Sequence, residues 1–384
     1  MSASTAWLVC TRGGHTFELG AALTCPTCGG PLDARTALPD LSCGLSPIVD
    51  ARAQGIWRYR AGLALAPDAE AVTLGEGSTP VAPLGAWARA HGLGRVWAKL
   101  EYLAPTGSFK DRGAAVVVTA LASRGVGRVL EDSSGNAGAA IAAYGARAGL
   151  PVTVFVPALA PEAKLRQIAA YGAEVRRISG TREDVAAAAE SAARTPGVAY
   201  ASHSRDPMFL EGTKTFAFEL VERFGPDLPE HLVFPVGNGG LLLGAYKGLC
   251  ELQQAHLTLR MPRLHLAQAA GCAPLVEAIA RGATEPVAVA RAPTIAGGVE
   301  VGAPVRGAQV LAAVRATHGA AVALEERDIR AARDELARVE GLYLEPTAAL
   351  AFAAVPRLVA QGVIAPTAAV LVPATGGGLK DISP

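Results

Sequence analysis

The sequence predicts an α/β protein in which two parallel-rich sheets are covered by helices and preceded by a short cysteine-bearing N-terminal segment. Three observations carry this prediction. The chain has 384 residues and a hydrophobic fraction of 51%, enough for more than one large buried core. From Val126 onward, short apolar runs alternate with Ala-rich stretches of helical character, the pattern of a parallel sheet with helices on both faces. Glycine-rich turns stand where several of the runs give way to helices.

Taken in order, residues 1–60 carry Cys10, Cys25, Cys28 and Cys43 with several Pro and Gly residues. Little periodicity appears before Ile56-Trp57-Arg58-Tyr59, so the segment is expected to be irregular. A first set of strands is expected at Arg128 to Leu130, Val152 to Val156, Glu174 to Ile178 and Val198 to Tyr200. Helices should run to Ala148, from Glu162 to Tyr171 and from Glu183 to Ala193. A second set begins with His231 to Val236 and continues through Arg263 to Ala267 and Ala369 to Val372, with helices near Leu241 to Gln254 and Ile329 to Glu340. Two α/β sheets imply a ligand site in the cleft between them.

Composition narrows the function. Lys+Arg 35 against Asp+Glu 34 leaves almost no net charge, and no basic stripe interleaved with aromatics is present, which argues against a nucleic-acid partner. No uncharged apolar run approaches a membrane span, and Met1 to Gly14 lacks the charged start and apolar centre of a secretory signal. Six cysteines are sparse for this length and fit a reducing compartment. A cytoplasmic enzyme acting on a small molecule is expected.

The candidate chemistry centres on Pro105-Thr106-Gly107-Ser108-Phe109-Lys110-Asp111-Arg112-Gly113. Lys110 follows a Gly-Ser turn and opens an apolar helix from Ala114 to Leu121, a setting that disfavours the charged amine and exposes a nucleophile fit for a Schiff base. The alternative is a helix-initial lysine paired with Asp111 at the surface. Further along, Asp132-Ser133-Ser134-Gly135-Asn136-Ala137-Gly138 leads into an Ala-rich helix whose free N–H groups, dipole and hydroxyls suit a carboxylate. Ordinary N-capping by Ser134 or Asn136 is the plainer reading. Gly237-Asn238-Gly239-Gly240 follows a strand and opens a helix, so its backbone can close around a phosphate, although the spacing fits neither a dinucleotide fingerprint nor a P-loop. Near the C-terminus, Thr375-Gly376-Gly377-Gly378-Leu379-Lys380-Asp381 puts a hydroxyl at a strand end, where it can face a ring nitrogen without holding that nitrogen protonated.

Together with Gly75-Glu76-Gly77-Ser78-Thr79-Pro80, these segments resemble, in order, those of threonine synthase and its relatives, pyridoxal-phosphate enzymes of the tryptophan-synthase-β fold (fold type II). The resemblance runs from about residue 70 to 384. It implies that Lys110, next to Phe109, carries the cofactor as a Schiff base, that Asn136 contacts its 3-hydroxyl, that Gly237, Asn238, Gly239 and Gly240 bind its phosphate, and that Thr375 faces its ring nitrogen. Glu76, Ser78 and Thr79 are implied on the substrate side, with Ser133, Ser134 and Asn136 binding the amino-acid substrate. It further implies a large cofactor domain of residues 61–112 and 207–384, a small mobile domain of 113–206, and a homodimer. The implied reaction is conversion of O-phosphohomoserine and water to threonine and phosphate.

The sequence departs from that family at a telling place. Where threonine synthases carry Asn-Ser-x-Asn, then Pro and an Arg two residues later, this chain reads His203-Ser204-Arg205-Asp206-Pro207-Met208-Phe209. Phe209 cannot supply the bidentate charged contact of an arginine to phosphate. Arg205 and Lys164 are nearby candidates to restore charge, Asp206 subtracts it, and Gly377 replaces a usual His. Two enzyme readings follow: a threonine synthase with a rearranged phosphate site, or a paralogue performing elimination or β-replacement on O-phosphoserine, O-acetylserine, serine or threonine. A non-catalytic ligand-binding protein on the same fold is disfavoured by intact Lys110, Asn136 and Thr375. His203 is read as structural. Cys25-Pro26-Thr27-Cys28-Gly29-Gly30 looks like half a zinc ribbon, but Cys10 is followed by Gly13 where a second Cys belongs, leaving His15 or Cys43 as candidate fourth ligands. No metal is assigned, and the segment is read as a degenerate ribbon.

Overall fold

The computed structural model describes residues 6–20 and 22–380. Asp381, at the end of the C-terminal motif, and residues 1–5 of the cysteine-bearing segment lie outside them. In chain order the strands are β1 (Ala6–Cys10), β2 (Thr16–Phe17), β3 (Leu32–Thr36), β4 (Val81–Pro83), β5 (Val96–Lys99), β6 (Arg128–Glu131), β7 (Val152–Pro157), β8 (Glu174–Ile178), β9 (Val198–Tyr200), β10 (His231–Pro235), β11 (Arg263–Ala269), β12 (Ala321–Leu324) and β13 (Val370–Pro373). The helices are α1 (Gly85–Ala90), α2 (Lys110–Ser123), α3 (Asn136–Arg147), α4 (Glu162–Ala170), α5 (Arg182–Ala192), α6 (Pro207–Phe224), α7 (Gly240–Gln254), α8 (Pro274–Ala280), α9 (Gly307–Ala316), α10 (Glu326–Glu340) and α11 (Pro346–Ala360). The chain divides into two compact units, one of Met1–Ser78 and Ala104–Thr215, the other of Thr79–Leu103 and Phe216–Pro384.

The first unit holds a parallel four-stranded sheet in the order β8-β7-β6-β9. Alternation along its central strands feeds two cores. Val129, Val152, Val154 and Val156 pack with Val116, Val117, Ile141 and Tyr144 of α2 and α3, while Leu130 and Phe155 pack with Val185 and Ala189 of α5 and with Tyr200. The N-terminal segment differs from the irregular structure expected of it, because β1, β2 and β3 form an antiparallel sheet in the order β2-β1-β3. β1 alternates Ala6, Leu8 and Cys10 inward with Trp7 outward. A strand of this length among Cys, Gly and Pro residues gives a weak periodic signal.

The second unit holds a six-stranded sheet in the order β12-β11-β10-β13-β5-β4, parallel except for β4, which pairs antiparallel with β5 at the edge. The largely buried α11 packs Leu350, Phe352 and Val355 into a core shared with Val233 of β10 and Val370 of β13. Both parallel-rich sheets covered by helices are those the sequence predicts. Every strand of the two expected sets is present, and the strands β4, β5 and β12 and the helices α1, α6, α8, α9 and α11 are added to them. Among the described residues no helix is long and apolar enough to cross a membrane.

Candidate active site

Lys110 is the first residue of α2, and its placement starts with the turn before it. Gly107 adopts φ 82°, a conformation open to glycine. Asp111 is fully buried; its Oδ2 accepts from the Thr106 N–H at 2.7 Å, and its Oδ1 accepts from the Thr106 hydroxyl. Asp111 therefore fixes the turn from inside, and the alternative of a surface ion pair with Lys110 does not hold. Arg112, also fully buried, donates to Thr215 Oγ1 at 3.0 Å. The Lys110 amine stands 4.7 Å from the ring centroid of Phe109 and 5.6 Å from that of Phe209. Phe209 is fully buried, and a Cβ on Gly113 would come within 2.6 Å of its ring, so the glycine of the lysine motif makes room for this phenylalanine. The side chain that replaces the family arginine is thus part of the wall around the lysine.

Asn136 opens α3, and Gly135 in the N-cap position provides no side-chain cap. The N-cap position thus falls on Gly135 rather than on Ser134 or Asn136, and Ser133, Ser134 and Asn136 stand half-buried around the helix N-terminus. Gly138 is required for the tight turn, since a Cβ on it would lie 1.9 Å from the Ser133 carbonyl oxygen.

Behind this turn is a buried cluster that the sequence did not reveal. His203 Nδ1 lies 2.7 Å from Glu131 Oε1, with the two side chains 8% and 0% exposed. Asp132 pairs with Arg182 at 3.0 Å. Burial pushes the Glu131 carboxyl up to about 7, with the nearby Arg182 guanidinium pulling the other way. Burial also lowers His203 to about 3, helped by the positive charge of Lys110. Burial thus works against the charged form of each group. His203 is held in a buried pair rather than standing alone, and the available signal was a carboxylate, Glu131, directly after the apolar Val129 and Leu130 of β6.

Glu76 departs from its implied position on the substrate side. It is fully buried and accepts from Trp57 Nε1 at 2.6 Å, Tyr144 Oη at 2.7 Å, the Leu74 N–H at 2.9 Å and Thr73 Oγ1 at 3.2 Å. Four donors occupy this carboxylate, so it anchors its own loop. Ser78, by contrast, is exposed and held at φ 49°, a sparsely populated conformation for serine.

In the second unit Thr79 is buried, its hydroxyl 2.7 Å from Glu101 Oε1 and accepting from Lys99 Nζ at 2.7 Å. Lys99 also donates to Glu219 at 2.6 Å, so this polar knot is internally paired. The Gly237–Gly240 turn joins β10 to α7. Gly239 has φ 80°, and Cβ atoms on Gly237 and Gly239 would come within 2.8 Å of the Gly298 carbonyl oxygen and 2.3 Å of Val310 Cγ2. Positions 237 and 239 are packed so closely that only glycine fits there, and the turn ends at the N-terminus of a helix of 15 residues. Thr375 follows β13 and is 2% exposed, with its Oγ1 buried and lacking a hydrogen-bond partner among the described residues. Such a hydroxyl is costly unless something else satisfies it.

Each unit taken by itself offers groups of the kind pyridoxal phosphate needs: the first an amine beside two aromatic rings, the second a glycine turn on a helix N-terminus for an anion and a buried hydroxyl for a ring nitrogen. Comparison with known proteins agrees. The model of the pyridoxal-phosphate dependent enzyme family matches residues 72–376. A threonine synthase of Methanosarcina acetivorans is 34% identical over 359 residues, 93% of this chain and 88% of that protein. One from Methanocaldococcus jannaschii is 32% identical over 374 residues, 97% of this chain and 92% of that protein. The fold is shared with maize serine racemase, at TM-score 0.68 and 22% identity over 78% of this chain and 88% of that one. It is shared as well with threonine deaminase isoform 2 from Solanum lycopersicum, at TM-score 0.67 and 21% identity over 78% of this chain and 79% of that one. With a family match over most of its length and relatives above 30% identity, the chain belongs to the pyridoxal-phosphate dependent enzymes.

Proposed function

We propose that this enzyme is a threonine synthase-type lyase that converts O-phosphohomoserine and water to threonine and phosphate. The observation that carries the reading is the fixed Lys110 turn in a chain whose relatives, alike over nearly its whole length, are threonine synthases. Lys110 would hold the cofactor covalently, and its free amine would be the base that takes the substrate's α-proton. Bound pyridoxal phosphate supplies the sink for the electron pair that this leaves. Asn136 contacts the cofactor's phenolic oxygen, Gly237, Asn238, Gly239 and Gly240 hold its phosphate, Thr375 faces its ring nitrogen and Phe109 lines the lysine. Ser133 and Ser134, with the N–H groups of α3, orient the substrate carboxylate, and Ser78 and Thr79 complete the substrate side. Residues 113–206 are the small mobile domain whose closure excludes water, and 61–112 with 207–384 the large one. The enzyme works in the cytoplasm as a homodimer.

A second reading is favoured by one observation. Phe209 puts a buried aromatic ring where a phosphate-binding arginine is expected, which suits an activated amino acid with a smaller or uncharged leaving group. The test is a titration of the yellow holoenzyme with O-phosphohomoserine, following absorbance, released phosphate and amino-acid product together. Threonine and phosphate in equal amounts support the first reading. A holoenzyme that ignores this substrate but turns over O-phosphoserine, O-acetylserine, serine or threonine supports the second.

A further inference from the structure

Four side chains of the N-terminal sheet, none used in the chemistry above, converge on one point. The thiols of Cys10, Cys25 and Cys28 and a ring nitrogen of His15 all lie within 4.8 Å of one another. Cys10 Sγ is 3.3 Å from Cys28 Sγ, and Cys25 Sγ is 3.5 Å from His15 Nδ1. A tetrahedral zinc with Zn–S of about 2.3 Å and Zn–N of about 2.0 Å needs S···S edges of roughly 3.8 Å and S···N edges of roughly 3.5 Å. The sulfurs are thus spaced as co-ligands, well beyond a disulfide bond of about 2.05 Å, and the cysteines are free.

The backbone builds this arrangement from two turns. Cys10 and His15 come from the turn between β1 and β2, closed by Cys10 N–H to the His15 carbonyl at 2.8 Å and Gly14 N–H to the Cys10 carbonyl at 2.9 Å. Cys25 and Cys28 come from the turn entering β3, closed by Cys25 N–H to the Gly30 carbonyl and Gly29 N–H to the Cys25 carbonyl, both at 2.8 Å. The Gly13 N–H points at Cys10 Sγ from 3.4 Å, a donor suited to a thiolate. Gly13 also explains why the second Cys of the first pair is missing. A Cβ there would come within 2.4 Å of the His15 ring, so a larger residue at 13 would displace His15 from the cluster. Cys43, the other candidate ligand, is exposed and outside the group.

We propose that Cys10, His15, Cys25 and Cys28 bind one structural zinc ion, so that the ribbon is complete and histidine stands in for its fourth cysteine. Three thiolates and one imidazole fill a tetrahedral shell and leave no open position for catalysis. The ion clamps a sheet whose strands are two to five residues long. That sheet shares its core with α2, through Leu8, Leu32 and Ala34 against Val116 and Val117, and Arg124 just past the end of α2 donates to the Gly20 carbonyl at 3.0 Å. The metal thereby steadies the outer end of the helix that begins with Lys110.

The test is metal analysis of full-length holoenzyme purified without chelator, alongside C28S, H15A and C43S variants. About one zinc per chain is expected in the wild type and in C43S, with most of it lost from C28S and H15A. Substitution of cobalt(II) into the wild type should give the intense visible absorption of a tetrahedral thiolate site, which does not depend on any variant folding. Wild-type protein that takes up no stoichiometric zinc after exposure to it, C43S losing as much metal as C28S, or a Cys10–Cys28 disulfide in the reduced preparation would each overturn the assignment.

Discussion

Replacing Thr375 by valine keeps nearly the same shape while removing the hydroxyl, and the structure fixes the sign of the effect in each state. Among the described residues Thr375 Oγ1 is buried without a partner, a condition that costs about 1–3 kcal/mol. Valine removes that cost, so the cofactor-stripped variant should be more stable than the wild type by about 1 kcal/mol. With pyridoxal phosphate bound, the variant forfeits a hydrogen bond to the ring nitrogen worth about 1 kcal/mol. The two changes act in opposite directions on the free and bound states and so add in binding, giving about 2 kcal/mol or roughly 30-fold weaker cofactor affinity. Urea denaturation of stripped protein and an absorbance titration with pyridoxal phosphate measure the two quantities separately. A stripped variant that is less stable than the wild type, or an unchanged cofactor affinity, would refute the role given to this hydroxyl.

Lys110→Ala should abolish the visible absorbance of the lysine-linked cofactor, and an unchanged spectrum would remove Lys110 from the site. Phe209→Arg should raise kcat/KM for O-phosphohomoserine; no gain would mean that phosphate is bound elsewhere or is absent from the substrate. Glu131→Gln addresses the buried carboxyl. Its folded value of about 7 lies above the ordinary 4.5, so the protonated form is favoured by folding, and that stabilisation is complete below pH 4.5 and lost as pH rises through about 7. The difference is worth about 3 kcal/mol, so the stability of the wild type relative to the variant should fall by about that much from pH 4.5 to pH 8. Parallel urea profiles for the two proteins would show that Glu131 is ionised throughout.

What could be read from sequence was what lies close along the chain. Lys110 with its Gly107 turn, the Ser133 to Gly138 turn and the Gly237 to Gly240 turn each fall within one strand-to-helix or loop-to-helix passage, and β7 and β10 stand out because burial on both faces makes them nearly continuous apolar runs. What stayed hidden depends on distant partners. Glu131 and His203 meet across 72 positions, and Glu76 was implied as a substrate-side residue until Trp57 and Tyr144 were seen to share its oxygens. β5 is four residues ending in Lys99, a charge that reads as surface and is buried only because Glu219 pairs with it. The sequence left His15 and Cys43 as equal candidates for the cysteine cluster, and only the fold brings His15 to Cys25.

The six-stranded sheet also bears on how the polypeptide assembles during synthesis. β13 lies between β10 and β5, so β5, formed by residues near 96, meets its parallel neighbour only when Val370 has been made. All the segments of the first unit have been made once Thr215 has emerged, whereas the second stays as two separate groups of strands with open edges until β13 has been made. Such late, long-range strand insertion is slow and leaves aggregation-prone edges exposed on the nascent chain. A premature stop a few residues before Val370 would therefore do more than remove Thr375: it would leave two half-sheets with no strand to join them.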